Sequence, residues 1–118
     1  EQLPYFYSAA DVCVVPSYYE SCGLVALESL ACGTPVVATD VGNLSSVIRQ
    51  GETGYVVIDN APHRLADKIA MLLSRTHPGI ESALSVRASV SRFGWSNIAD
   101  VVIEEFRMVL ADYFATVP

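Results

Sequence analysis

The run Pro16-Ser17-Tyr18-Tyr19-Glu20-Ser21-Cys22-Gly23-Leu24-Val25-Ala26-Leu27-Glu28 carries the chain from an extended segment into a helix. Before it stands Val12-Cys13-Val14-Val15, a short apolar run halted by Pro16-Ser17 and read as a buried strand. From Gly23 to Ala31 the chain is rich in Leu and Ala. That predicts a helix ending at Gly33, a residue suited to the position after a helix end. Pro35 breaks the chain, and Val36-Val37-Ala38-Thr39 reads as a second buried strand. Asn43 is placed to cap a short helix to about Arg49, Gly51 to Gly54 makes a turn, and Tyr55-Val56-Val57-Ile58 is a third strand. Strands without polar alternation, joined by helices, imply a parallel sheet covered on both faces.

The second half is helical. Pro62 opens a helix carrying Leu65, Ile69, Leu72 and Leu73 on one stripe, and His77-Pro78-Gly79 is a break. Ile80 to Val90 predicts another helix. Ser96 is expected to cap a last one, with Ile98, Val102, Phe106, Val109, Leu110 and Tyr113 at 3- and 4-residue spacings. Trp95 and that stripe read as packing of the tail. The expected architecture is α/β: a partial Rossmann-like, doubly wound parallel sheet of about three strands over residues 1–92, then a helical C-terminal tail over 93–118.

Composition narrows the function. The 118 residues are 52% hydrophobic and 17% charged, which excludes a disordered tail. They are also more apolar than a free-standing domain of this size should be. The chain opens on Glu1 and the aromatic segment Leu3-Pro4-Tyr5-Phe6-Tyr7. We therefore expect a piece of a longer protein, with apolar faces meant for missing neighbours. Seven basic residues against 13 acidic ones, net −6, argue against nucleic-acid binding. No apolar run reaches a membrane-spanning length, and no signal-peptide pattern opens the chain. Cys13, Cys22 and Cys32 form no CxxC pair and sit among apolar or small residues. Reduced thiols and a cytoplasmic setting are expected, with Cys22 and Cys32 as small core residues.

The Pro16–Glu28 run lies where a strand's carboxyl end meets a helix N-terminus, the place where open α/β sheets bind ligands. Backbone N–H groups around Cys22, Gly23, Leu24 and Val25 should face outward there, aided by the helix dipole. Such a terminus suits a phosphate or sugar hydroxyls, and Gly23 lets the backbone come close. Glu20 and Glu28 bracket it. Glu28 is displaced by roughly 7–8 Å along the helix axis, and helical side chains lean back toward the N-terminus. A phosphate at the helix end, one sugar near Glu20 and another near Glu28 would fit that spacing, and a nucleotide-sugar has that layout: sugar, diphosphate, ribose.

Glu20 and Glu28, seven residues apart, resemble the E-x7-E motif of group 1 (GT4-type) retaining glycosyltransferases of the GT-B fold. The resemblance extends over Tyr7-Ser8-Ala9-Ala10-Asp11, Pro16-Ser17, Ala31-Cys32-Gly33-Thr34-Pro35-Val36-Val37-Ala38-Thr39, Val41-Gly42, Gly51, Gly54-Tyr55 and Phe93-Gly94-Trp95. Residues 17–38 also resemble bacterial inositol-phosphate glycosyltransferases and sucrose-phosphate-synthase-like enzymes. The resemblance implies the C-terminal, donor-binding part of such an enzyme. Glu20 would take the catalytic position, on the donor sugar's hydroxyls. Glu28 would bind the ribose, and Cys22, Gly23, Leu24 and Val25 would offer N–H groups to the donor. It implies no cofactor and no essential metal; a UDP- or GDP-sugar is a substrate, and the acceptor sits on a missing N-terminal domain. The parent would be cytoplasmic, or at the inner face of the membrane.

Two positions depart from the family pattern: Cys22 replaces an aromatic residue, and Asn43 replaces a second glycine after Gly42. A diphosphate also needs cationic neutralisation. The only lysine is Lys68, and no arginine lies near the motif in sequence. Those cations are expected upstream.

The plainer alternatives are a solvated helix face for Glu28, a loop cap for Glu20, and surface positions for His63 and His77. Leu27 and Ala31 beside Glu28 suggest a buried helix in which an ionised group needs a partner. Tyr18 and Tyr19 either stack on a ligand or pack. Rival functions are a nucleotide-sugar-binding module without transfer activity and a flavodoxin-like receiver. The receiver lacks its acidic cluster and lysine, having only isolated Asp40 and Asp59. The exposed edge of the first strand predicts self-association of the fragment.

Overall fold

A computed structural model describes residues 2–74 and 80–116, the latter without the side chains of residues 80 and 81. The elements run α1 (Leu3–Ala9), β1 (Cys13–Val15), α2 (Leu24–Ala31), β2 (Val36–Thr39), α3 (Leu44–Val47), β3 (Gly54–Val57), α4 (Pro62–Leu73), α5 (Ile80–Ala88), a 3₁₀ turn (Ser91–Phe93) and α6 (Trp95–Thr116). The expected break at His77-Pro78-Gly79 and the expected surface position of His77 lie outside the described residues.

The three strands form one parallel sheet in the order β1-β2-β3. All four residues of β2, the central strand, are buried, as their unbroken apolar character requires. One face is covered by α2, α3 and α5. There Ala26 and Leu30 of α2, Leu44 and Val47 of α3, and Val86 of α5 pack with Val15, Val36 and Ala38. The other face is covered by α4, whose Leu65 and Leu72 pack on Val37 and Val57. The sheet is therefore doubly wound, as expected.

Several boundaries and contacts differ from expectation. The segment Leu3–Ala9 is helical, with Pro4 in the first turn, where its missing N–H costs nothing. Periodicity did not reveal this helix, because none of its residues is buried. β1 starts at Cys13 rather than Val12, β3 ends before the exposed Ile58, and α5 stops at Ala88 rather than Val90. Asn43 precedes α3 without capping it; its side-chain oxygen instead accepts from the Ser46 hydroxyl. The last helix begins at Trp95, and the Gly94 carbonyl accepts its first bond, from Ile98 N–H. Ser96 is therefore inside the first turn.

The largest difference is burial. Leu73 of α4 is exposed, and no residue of α6 is buried; Trp95 is 85% exposed, and the apolar stripe stays largely open, with only its first residues, Ile98 and Val102, partly covered in a pocket shared with Arg92. At 1.5 Å per residue, α6 is about 33 Å long. It stands off the sheet, and the molecule reaches 65 Å along its longest axis. No described helix is long and apolar enough to cross a membrane.

Candidate functional site

The loops that leave the carboxyl ends of the three strands converge. Thr39, the buried last residue of β2, donates its hydroxyl to the Ser17 carbonyl at 2.5 Å. Asn60, just past β3, donates its amide to the Pro16 carbonyl at 2.7 Å. Gly42, in the loop after β2, has φ +58°, and a Cβ built on it would stand 2.0 Å from the Glu20 carbonyl oxygen. Only a residue without a side chain lets the two loops meet. The stretch between β1 and α2 is thus clamped by both neighbouring loops at the carboxyl edge of the sheet, the edge at which open α/β sheets bind ligands.

Glu20 is half-buried in that stretch. Its Oε1 accepts from the backbone N–H of Ser21 at 3.2 Å and of Gly23 at 3.3 Å. The carboxylate therefore caps its own turn, as the plainer alternative had it. Gly23 is the N-cap of α2 with φ +68°, a left-handed conformation that glycine adopts without cost. Its N–H, expected to face a ligand, is instead taken by Glu20. The N–H groups of Leu24, Val25 and Ala26 precede the first helical bond, Leu27 N–H to Gly23 C=O at 3.0 Å, and have no intrahelical acceptor.

Cys22 is exposed, not a core residue, because it lies in the loop ahead of the packed face of α2. Tyr18 and Tyr19 are 89% and 85% exposed, so neither packs within the chain.

Glu28 is exposed, contrary to the buried setting expected from Leu27 and Ala31. The packed face of α2 is formed by Ala26, Ser29 and Leu30, and Glu28 points away from it. It nonetheless has a partner: the Tyr7 phenol of α1 donates to Glu28 Oε2 at 3.0 Å. Burial, then that hydrogen bond and the carboxylate's charge, push the Tyr7 phenol up to about 12. Tyr7 had no assigned role in the sequence. Its only signal was a place in Tyr7-Ser8-Ala9-Ala10-Asp11.

Neither Glu20 nor Glu28 forms an ion pair with the described residues. All three cysteines are free, and burial raises the Cys13 thiol, which disfavours its reactive thiolate. His63 is on the surface, as expected. The described residues hold no cluster of three or more metal-ligating side chains.

Comparison with known proteins agrees with this architecture. Residues 1–89 match the sequence profile of glycosyl transferases group 1. Over 115 residues the chain is 46% identical to the D-inositol 3-phosphate glycosyltransferase of Acidothermus cellulolyticus, covering 95% of this chain and 25% of that protein. It is 44% identical to the protein of the same name from Thermobispora bispora, covering 99% of this chain and 27% of that one. The sucrose-phosphate synthase of Thermosynechococcus elongatus, a GT-B structure, superposes with a TM-score of 0.80 at 41% identity, over 91% of this chain and 27% of that one. The chain thus spans about a quarter of the length of the curated relatives it matches. It belongs to the group 1 glycosyl transferases.

Proposed function

We propose that this chain is the nucleotide-sugar-binding part of a retaining glycosyltransferase. The complete protein would break the bond between the donor's anomeric carbon and its diphosphate, and join that carbon to an acceptor hydroxyl on the same face. The observation that carries this reading is the entry to α2. There, amides without intrahelical acceptors lie between a half-buried carboxylate, Glu20, and an exposed one, Glu28. A diphosphate suits those amides and the positive end of the helix. Glu20 would meet the sugar hydroxyls with the oxygen not bonded to its own turn, and Glu28 the ribose.

The cations that stabilise the leaving diphosphate come from outside this chain, so the chain alone transfers nothing. The acceptor, which we take to be a phosphorylated polyol like the D-inositol 3-phosphate named in the relatives, binds elsewhere in the complete protein. Neither cofactor nor metal takes part in this scheme. Three free thiols suit a cytoplasmic setting.

Two substitutions in the complete protein test the reading. Glu28→Ala removes a charge-assisted bond of about 1.5–3 kcal/mol. It should weaken the free nucleoside diphosphate roughly 10- to 150-fold by calorimetric titration. Glu20→Gln should leave that affinity near wild type while transfer collapses. Unchanged nucleotide binding in Glu28→Ala would sink the ribose assignment. Parallel losses of binding and transfer in Glu20→Gln would leave Glu20 only its loop-capping role.

A further inference from the structure

Tyr7 is the one half-buried residue of α1, and it is fixed at both ends. Its phenol donates to Glu28 Oε2 at 3.0 Å. Its backbone carbonyl accepts from the Thr34 hydroxyl at 2.6 Å. Thr34 is buried and exchanges two bonds with Ser29: Ser29 Oγ donates to the Thr34 carbonyl, and Thr34 N–H donates to the Ser29 carbonyl, both at 3.0 Å. Ser29 is fully buried and next to Glu28 in α2. The four residues close a ring, so the height of the phenol above α2 is set by a buried pair of hydrogen bonds rather than by a loop.

We propose that Tyr7 is a positioning residue for the donor nucleotide, holding Oε2 of Glu28 so that Oε1 faces the two ribose hydroxyls. This rests on the assignment of Glu28 to the ribose. An exposed glutamate samples several rotamers, and fixing it when ligand binds costs conformational entropy. Tyr7 meets that cost during folding. Oε1 accepts nothing from the described residues and stays open. The donor is also neutral. A lysine or arginine at this place would spend the carboxylate's charge, whereas a phenol orients it and leaves the charge for the diol. With its pKa pushed up to about 12, Tyr7 remains a donor throughout the physiological range.

The alternative is that the bond merely docks α1, and a ligand series separates the two. UDP, GDP and their 2′,3′-dideoxy counterparts are titrated calorimetrically against the complete wild-type protein, Tyr7→Phe, Glu28→Ala and the double variant. Phenylalanine keeps the ring and its packing. Tyr7→Phe should bind the preferred ribonucleotide about 3- to 10-fold more weakly, bind its dideoxy counterpart as wild type does, and add nothing in the Glu28→Ala background. Equal losses for ribo- and dideoxynucleotide, or wild-type affinity for both while Glu28→Ala is impaired, would overturn the positioning role alone. Wild-type affinity in Glu28→Ala would remove the ribose assignment and this inference with it.

Discussion

β2 and α6 are both apolar, yet they meet opposite fates. All four residues of β2 are buried between two helical layers, whereas none of the 22 residues of α6 is buried. Phe106 is 65% exposed on α6, and Val36 and Val37 have no exposure. The difference shows where the 52% hydrophobic content goes. One share closes the sheet, and the other is displayed on a helix that stands apart. An apolar stripe identifies a face that gains by burial, but it does not say what buries it.

The largest effect that would sharpen this contrast is Leu30→Ala. Leu30 is fully buried at the centre of the core, so truncation should cost about 2–5 kcal/mol in denaturant unfolding. Val109→Ser on α6, where the side chain is exposed, should change stability by less than about 0.5 kcal/mol in this chain. Should copies of the chain associate through the exposed stripe of α6 and the edge of β1, as the sequence leads us to expect, the same substitution lowers the molar mass measured by light scattering. Comparable destabilisation by the two substitutions, or a monodisperse monomer, would erase the distinction.

The smallest effect concerns pH. The Tyr7 phenol is raised in the folded state from the ordinary 10.0 to about 12. Burial first, and then the bond to Glu28, favour the neutral phenol, so the stability linked to it is fully present below about pH 10 and is lost as pH rises through about 12. A phenolate absorbance titration should show one component ionising near pH 12, missing from Tyr7→Phe. A titration curve that does not change with the substitution would show that Tyr7 is not held as described.

Much of the sheet was legible because its signals are local. Pro35 and Asp40 bracket four strand-forming residues, and β2 runs from Val36 to Thr39 as predicted. Gly33, with φ +86°, follows the end of α2, as its place after the Leu- and Ala-rich stretch implied. What failed depended on distant contacts. α1 is held through Tyr7 to residues 21 and 27 positions away, and no periodicity encodes that. Glu28 was misplaced into a buried setting because residues one position away in a helix point about 100° aside. Leu27 is half-buried while Glu28 faces out. The E-x7-E spacing was legible at once. A loop cap for Glu20 was among the readings the sequence offered, since it is a local contact, but that Thr39, Gly42 and Asn60 clamp that turn could be seen only when the loops were brought together.

The central claim is that the carboxyl edge of this sheet holds a nucleotide-sugar between Glu20 and Glu28. A crystal structure of the complete protein with a bound UDP- or GDP-sugar tests it most directly. The diphosphate should lie at the Leu24 and Val25 amides, the sugar against Glu20, and both ribose hydroxyls on Glu28, with Tyr7 still bonded to its far oxygen. A nucleotide bound away from the α2 N-terminus, or a ribose that leaves Glu28 untouched, would contradict it.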